Sequence, residues 1–205
     1  MNGFDSGIHA RRRALFMEQL GAAAAVIPAA ALATHHADCE WPFRQDSDFF
    51  YLTGFDEPDA VALLLPHRPE GERYVLFVQP KDPAAEVWTG FRWGTEGAVE
   101  RYGADLAYPL DQLSEKLPEY LAGAEAIAFR VGRHTSVESM VLSAWGRQLD
   151  TYARTGRRPW AWWHQRRSFI ACGCARSPMS WSVCGRPAAS PQKPTSWPDR
   201  SPVRA

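Results

Sequence analysis

The residues of this chain that could hold a metal ion fall into two clusters. The first cluster lies early in the chain and consists of His35, His36, Asp38 and Cys39. Imidazole, thiolate and carboxylate groups are the usual protein ligands of zinc. Adjacent histidines on one loop rarely converge on a single ion, however, so we expect a linking loop here and not a metal site.

The second cluster lies near the C-terminal end and consists of His164, Cys172, Cys174 and Cys184. Zinc sites usually have two to four residues between paired cysteines, whereas only Gly173 separates Cys172 from Cys174. We therefore expect no zinc site at this end either. Cys39 is the one cysteine of the first 156 residues, which is typical of a reducing compartment and not of a disulfide scaffold.

A third cluster consists of polar residues that could act as acids, bases or substrate ligands. These residues are Arg44, Gln45, Asp46 and Asp48. These side chains flank the aromatic run Phe49–Leu52, which we predict to be a strand. Polar side chains in such a place usually satisfy backbone groups of a loop or contact a neighbouring domain. We favour that structural role over a catalytic one. Gly54, which follows, predicts a turn that needs relaxed backbone torsions.

The elements that must position these groups alternate between helices and strands. Further strands are predicted at 22–31, 60–65, 74–78 and 126–131. Helices are predicted at 8–20, 82–88, 110–121 and 136–149, the last with Ser136 as its N-cap. The strands at 60–65 and 74–78 are continuous apolar runs, which indicates a hairpin in a sheet covered on both faces. The fold class is therefore α/β, a mixed β-sheet flanked by helices.

Length and charge limit the classes of partner. A chain of 205 residues suffices for one domain with an extension, but not for two full-sized domains. The first 156 residues carry 22 acidic and 14 basic side chains, a net charge of −8, which argues against a nucleic acid partner. No apolar run approaches the roughly 20 residues of a membrane span, so we expect no membrane partner.

The N-terminal segment superficially resembles a secretion signal, because three arginines precede an alanine-rich stretch. Glu18, Gln19 and Gly21 interrupt that stretch, and Pro28 lies inside it. A signal peptide needs an unbroken apolar core, so we expect a cytoplasmic protein.

The tail from 157 to 205 differs from the rest. It holds five of the nine tryptophans, three of the four cysteines and seven of the sixteen prolines, without helical or strand periodicity. Disordered segments are poor in Trp and Cys, whereas folded ones are periodic. A one-base shift of the reading frame converts Pro159–His164 into a sequence compatible with Leu-Gly-Leu-Val-Ala. We therefore expect a domain at 1–156 and a non-native or disordered frameshift tail at 157–205. A natural low-complexity extension is the alternative.

Residues 40–60, EWPFRQDSDFFYLTGFDEPDA, resemble the signature PYRQNSDFYYLTGFNEPEA of the N-terminal domain of aminopeptidase P. This family comprises the Xaa-Pro aminopeptidases of the creatinase/prolidase superfamily. The resemblance implies a parent enzyme that removes the N-terminal residue preceding proline, with a peptide substrate and a homo-oligomeric assembly. It also implies two manganese ions held by two Asp, one His and two Glu of a C-terminal domain. The motifs of those ligands are absent from this sequence, so we expect no catalytic residue, no metal ligand, no bound cofactor and no turnover in this chain.

Trp88 is the one residue to which the resemblance assigns a substrate-binding role. Ala85–Trp88 aligns with the family motif AEIW, whose region helps to close the substrate cleft. A Trp face packs well against a proline ring. The equal alternative is that Trp88 lies on the helix and packs into the protein core. Trp93 is a weaker candidate, and for His134 and Tyr51 we expect ordinary packing. Two other functions stay open: a non-catalytic binding or assembly module, and a fragment of a prolidase- or creatinase-type enzyme.

Overall fold

The computed structural model of the chain describes residues 6–36, 39–155 and 161–164. The strands in these ranges are β1 (Ala24–Pro28), β2 (Thr34–His36), β3 (Cys39–Glu40), β4 (Val61–Leu64), β5 (Tyr74–Val78), β6 (Leu106–Pro109), β7 (Ala126–Phe129) and β8 (Ala161–His164). The α-helices are α1 (Ser6–Leu20), α2 (Ser47–Thr53), α3 (Pro83–Thr89), α4 (Gly94–Glu100), α5 (Leu113–Leu121) and α6 (Thr135–Thr155). A 3-10 turn, Leu110–Gln112, precedes α5.

Six strands form one sheet in the order β6-β5-β4-β1-β7-β8, and β2 pairs with β3 in a separate hairpin. Strand β4 runs antiparallel to both of its neighbours, while the other neighbouring strands of the large sheet pair in parallel. The carboxyl ends of β1 and β7 therefore lie at the same edge of the sheet. That edge is where ligand-binding crevices usually form in open α/β sheets.

Helices cover the sheet on both faces, and each face has its own apolar core. On one face the sheet packs against α1, α2 and α4 through buried residues such as Phe16, Leu20, Phe49, Leu52, Leu64, Leu76 and Ala98. On the other face it packs against α5 and α6 through residues such as Val26, Leu63, Phe77, Leu117, Phe129 and Val141. Successive strand residues point to opposite faces, so a strand buried on both sides needs the continuous apolar runs seen here.

Most of the predicted elements are present, and the mixed α/β fold is confirmed. The hairpin β4–β5 pairs Leu63 with Val75 in antiparallel register, as the two apolar runs predicted. The first and last long helices are also present. The prediction of Ser136 as the N-cap is wrong, because α6 begins at Thr135 and Ser136 therefore lies inside its first turn. None of the helices in the described ranges combines the length and the apolarity that crossing a bilayer requires.

The prediction of a strand at Phe49–Leu52 is wrong, because these residues form helix α2. The side chain of Asp46 caps the first turn, and Gly54 ends the helix with a φ of 68°. The buried positions Asp48, Phe49, Leu52 and Thr53 follow helical spacing, whereas Phe50 is exposed. The two capping residues thus override the β propensity of the aromatic run.

Several short elements are not predicted by the sequence: α4, β6, β8 and the β2–β3 hairpin. Strand β8 lies in the segment assigned to the tail and pairs in parallel with β7, matching Ala161 to Ala126 and His164 to Phe129. Strand pairing uses backbone hydrogen bonds, so an edge strand can form without an alternating side-chain pattern.

Candidate functional site

The signature segment around helix α2 is fixed by hydrogen bonds from its own polar side chains. Asp46 Oδ1 accepts the backbone N–H groups of Asp48 at 2.9 Å and Phe49 at 3.2 Å. At the other end the N–H of Gly54 donates to the Phe50 carbonyl at 2.8 Å. A left-handed residue at this place favours glycine, which lacks the Cβ that would strain it. The predicted turn at Gly54 is confirmed.

Gln45 connects the start of the signature to its end and to the chain that follows β1. Its Oε1 accepts the backbone N–H groups of Ala30 at 2.8 Å and Asp46 at 2.9 Å. Its Nε2 donates to the carbonyl of Phe55 at 3.2 Å and to that of Glu57 at 2.8 Å. The whole hydrogen-bonding capacity of the amide is therefore used on backbone groups, as the predicted structural role requires.

Two arginines that follow strand β7 face the acidic residues of the signature. Arg130 lies 3.8 Å from Asp46 and 3.5 Å from Asp48, and Arg133 lies 3.5 Å from Asp46. The Asp48 side chain is 3% exposed, so its negative charge lies in the interior next to the Arg130 guanidinium. A buried carboxylate needs such compensation. These ion pairs fasten α2 to the carboxyl end of β7.

A cleft of about 410 Å³ opens beside these ion pairs, at the sheet edge where β1 and β7 end. Its lining consists of Ala30, Ala31, Arg44, Gln45, Asp46, Ser47, Arg133 and His134. Burial lowers the pKa of His134, while the nearby Asp46 opposes that shift. Arg44 and His134 are thus brought together in the cleft. The signal for His134 that the sequence prediction did not use is the pair of arginines that precedes it after a strand.

A second feature on the molecule is an arm, defined here as residues 82–100, which contains α3 and α4. Val87 on α3 is 77% exposed and Phe91, in the connection, is 59% exposed. Trp88 lies between them in α3, and its side chain is outside the part of the chain that the structure describes. The arm therefore presents apolar side chains to the surroundings, which is typical of a surface that meets another molecule or domain.

Trp93 is the anchor of this arm. Its ring packs against the core, with the Arg101 guanidinium 4.4 Å from the ring centroid and the Tyr102 ring 6.2 Å away. A Cβ placed on Gly97 would lie 2.7 Å from the Cβ of Trp93, so the close contact requires glycine there. These contacts occupy Trp93 in packing, and its role as a substrate contact stays a prediction.

Glu57, at the end of the signature, joins the signature to the arm. Its Oε1 accepts the backbone N–H of Trp93 at 2.7 Å, a short, charge-assisted hydrogen bond. Burial raises the pKa of Glu57, whereas the Trp93 N–H and the Arg92 charge lower it. The sequence does not predict this role, because the two residues are 36 positions apart.

Within the described ranges, no three His, Cys, Asp or Glu side chains come together in a way that could hold a metal ion. His35 packs edge-on against Trp41, with ring centroids 4.3 Å apart. Asp38 and the cysteines Cys172, Cys174 and Cys184 lie outside the described residues, as do the side chains of Cys39 and His164. The described donors therefore do not fit a pair of manganese ions.

Comparison with known proteins identifies a matching family and several relatives of this chain. The family described as aminopeptidase P, N-terminal domain, matches residues 9–128. The Xaa-Pro aminopeptidase of Escherichia coli K12 is 37% identical over 134 residues, which is 65% of this chain and 30% of that protein. Human Xaa-Pro aminopeptidase 3 is 41% identical over 88 residues, 42% of this chain and 17% of that protein.

Solved structures agree with the sequence matches. Aminopeptidase PepP of Pseudomonas aeruginosa superimposes with a TM-score of 0.72 at 35% identity, covering 81% of this chain and 37% of that one. Zinc-substituted E. coli aminopeptidase P in complex with product gives a TM-score of 0.72 at 33% identity. The chain thus spans 17% to 38% of the length of these relatives. On the family match and these similarities, the chain belongs to the aminopeptidase P N-terminal domain family.

Proposed function

We propose that this chain is the N-terminal domain of a manganese-dependent Xaa-Pro aminopeptidase. In that enzyme it would help to form the substrate cleft, which binds a peptide with proline at its second position. The observation that carries the proposal is the anchored arm in a chain whose relatives are Xaa-Pro aminopeptidases. The arm exposes Val87 and Phe91 on either side of Trp88. Apolar and aromatic surfaces of this kind suit a proline ring.

The chemistry itself belongs to the parent enzyme's other domain in this proposal. That domain would hold the manganese ions, whose chemistry when bound is the activation of water for hydrolysis. The residues of this chain would bind and orient the peptide. We therefore expect that the isolated 205-residue chain, supplied with manganese, releases no residue from Xaa-Pro peptides. Metal-dependent turnover by the purified chain would refute that expectation.

A chimaera tests the positive part of the proposal. Residues 1–155 of this chain would replace the corresponding N-terminal domain of the E. coli relative, whose catalytic domain is retained. We expect manganese-dependent release of the residue before proline. Trp88→Ala should raise the KM for Xaa-Pro peptides about tenfold, the loss of a good aromatic contact. Leu142→Ala, at an exposed position on α6, is the matched control and should leave KM unchanged.

An assembly role is the second candidate, and the exposed Val87 and Phe91 favour it. In that case the chain would pair with intact subunits of an Xaa-Pro aminopeptidase and add no cleft of its own. Co-purification with an intact subunit, together with an inactive chimaera, would support this role. An active chimaera whose KM responds to Trp88→Ala would contradict it.

We further propose a cytoplasmic location and a frameshifted tail at 157–205. The concentration of Trp, Cys and Pro in the tail supports the frameshift, as does the apolar sequence Leu-Gly-Leu-Val-Ala that a one-base shift allows at Pro159–His164. Determining the nucleotide sequence from codon 157 downstream tests it. A shifted open frame carrying the five-ligand metal motifs is the expected result, and an unbroken frame that ends without them would refute the frameshift.

A further inference from the structure

Three separate segments of the chain meet through two polar side chains, Gln45 and Glu57. The Gln45 amide holds Ala30, at the exit of β1, and also accepts and donates within the signature. Glu57 belongs to both sides of this junction: its backbone carbonyl accepts from Gln45, and its carboxylate accepts from Trp93 in the arm. A continuous path of hydrogen bonds therefore runs from the strand exit to the arm.

We propose that Gln45 and Glu57 are positioning residues that fix the arm, and with it the Trp88 helix, relative to the signature segment. This inference deepens the proposed function and rests on it for its consequence in catalysis. It assigns to Glu57 a role through the arm, not a contact with the reacting atoms.

The state of the Glu57 carboxylate sets it apart from an ordinary loop residue. Oε1 makes the 2.7 Å bond to Trp93, while Oε2 is buried and has no hydrogen-bond partner within the described part of the chain. Burying an oxygen in this way is costly, and natural proteins keep few such groups. The 2.7 Å bond from the Trp93 N–H offsets part of that cost and ties the carboxylate to the arm.

Protonation of Glu57 can be followed at the Trp93 amide, and the charged groups around Glu57 influence the pH at which it occurs. Arg92 and Glu86 lie on the arm, Asp56 is its neighbour in sequence, and Tyr102 lies beyond α4. Burial raises the pKa of Glu57 above its ordinary value, and Glu86 and Asp56 add to that rise, while Arg92 opposes it. A proton on Glu57 replaces a charge-assisted bond to the Trp93 N–H by a weaker neutral one.

The connection between α3 and α4 is the part of the arm that depends on this bond, because α4 itself is also held on the sheet by the buried Ala98. Gly94, with a φ of 64°, lies against Lys81, where an added Cβ would be 3.1 Å from the Lys81 Cβ. Trp93 supplies the packing described above, whereas Val87 and Phe91 point outward. Removing the Glu57 carboxylate should therefore free the connection between α3 and α4 before it disturbs the sheet.

Amide hydrogen exchange and two-dimensional ¹⁵N NMR of the full chain test the proposal. In Glu57→Ala, exchange of the Trp93 amide and of the arm should accelerate about tenfold or more, with β4 and β5 unchanged. Glu57→Gln keeps an oxygen acceptor and should stay within about threefold of the natural sequence. Glu119→Ala, an exposed glutamate on α5, is the matched control and should change nothing in the arm.

A pH titration supplies a readout that loss of packing alone would not give. The Trp93 amide resonance of the natural sequence should titrate with a midpoint above the ordinary range of glutamate, and Glu57→Gln should abolish that titration. Unchanged arm exchange in Glu57→Ala, or a Trp93 resonance that does not respond to pH, would overturn the proposal. If Glu57→Ala does not fold, Glu57→Gln and the titration decide.

The consequence for catalysis is measured separately in the chimaera. There, Glu57→Ala should raise KM about tenfold and leave kcat within about twofold, because it displaces a binding arm and touches no reacting atom. An unchanged KM in Glu57→Ala, beside a raised KM in Trp88→Ala, would overturn the positioning role. An inactive chimaera would count against the proposed function alone, since exchange and titration in the isolated chain use no peptide.

Discussion

The sheet and the arm show two different ways of holding a segment in place. Leu64 and Phe77, in the central strands, are fully buried between helices on both faces, and strand pairing and apolar packing fix them. The α3 part of the arm turns Val87 outward, and the connection that carries the exposed Phe91 is held by Trp93 and the Glu57 carboxylate. The scaffold thus buries its apolar side chains within itself, whereas the α3 part of the arm leaves apolar side chains exposed.

The largest effect should come from the scaffold. Phe77→Ala removes a fully buried ring that packs near Tyr108 and Tyr120 and leaves a cavity in the sheet. We expect the free energy of unfolding to fall by about 3–5 kcal/mol. Urea denaturation followed by far-ultraviolet circular dichroism measures it. A loss below about 1 kcal/mol would contradict the tight packing described for this face.

An intermediate effect is expected at Asp46, which caps α2 and pairs with the arginines after β7 at the edge of the scaffold. Asp46→Ala removes both interactions and should cost about 1–2 kcal/mol of unfolding free energy. Asp46→Asn keeps an acceptor for the Asp48 and Phe49 N–H groups and serves as the matched variant. It should lose clearly less stability, and equal losses in the two variants would show that the cap contributes nothing. Urea denaturation of both variants makes this comparison.

The smallest effect is expected on the arm itself. Val87→Ala changes a side chain that is 77% exposed, so the free energy of unfolding should change by no more than about 0.5 kcal/mol. Thermal denaturation of this variant beside the natural sequence measures it. A loss as large as that of Phe77→Ala would show that the arm is part of the scaffold and would remove the distinction.

The sequence predicts the scaffold well because its signals are local and repeated. Continuous apolar runs predict β4 and β5, and an apolar stripe predicts α5. The aromatic composition of Phe49–Leu52 predicts a strand, whereas Asp46 and Gly54, which cap the two ends of the helix, indicate a helix between them. Strands β6 and β8 depend on backbone pairing with a neighbour far away in sequence, which leaves little pattern in four residues.

The candidate site was predictable only in part, for a related reason. The polar residues Arg44, Gln45, Asp46 and Asp48 stand out because they lie in one segment, and the backbone contacts expected of them are present for Gln45 and Asp46. Their partners did not stand out: Arg130 comes from the end of β7, and Trp93 reaches Glu57 across the whole β4–β5 hairpin. Contacts between residues far apart in sequence form only in the folded chain, so no local spacing pattern predicts them.

The close approach of Gly97 to Trp93 has a consequence for how this domain can evolve. Position 97 cannot accept a larger residue without a shift of the chain, since an added methyl group would lie 2.7 Å from the Trp93 Cβ, an atom that every residue except glycine carries. A smaller side chain at 93 keeps that Cβ and therefore opens no space for alanine or serine at 97, while it costs the arm its anchor. Substitution at 93 should thus fail to rescue a substitution at 97. The backbone of the arm at this point leaves the domain little room for sequence change.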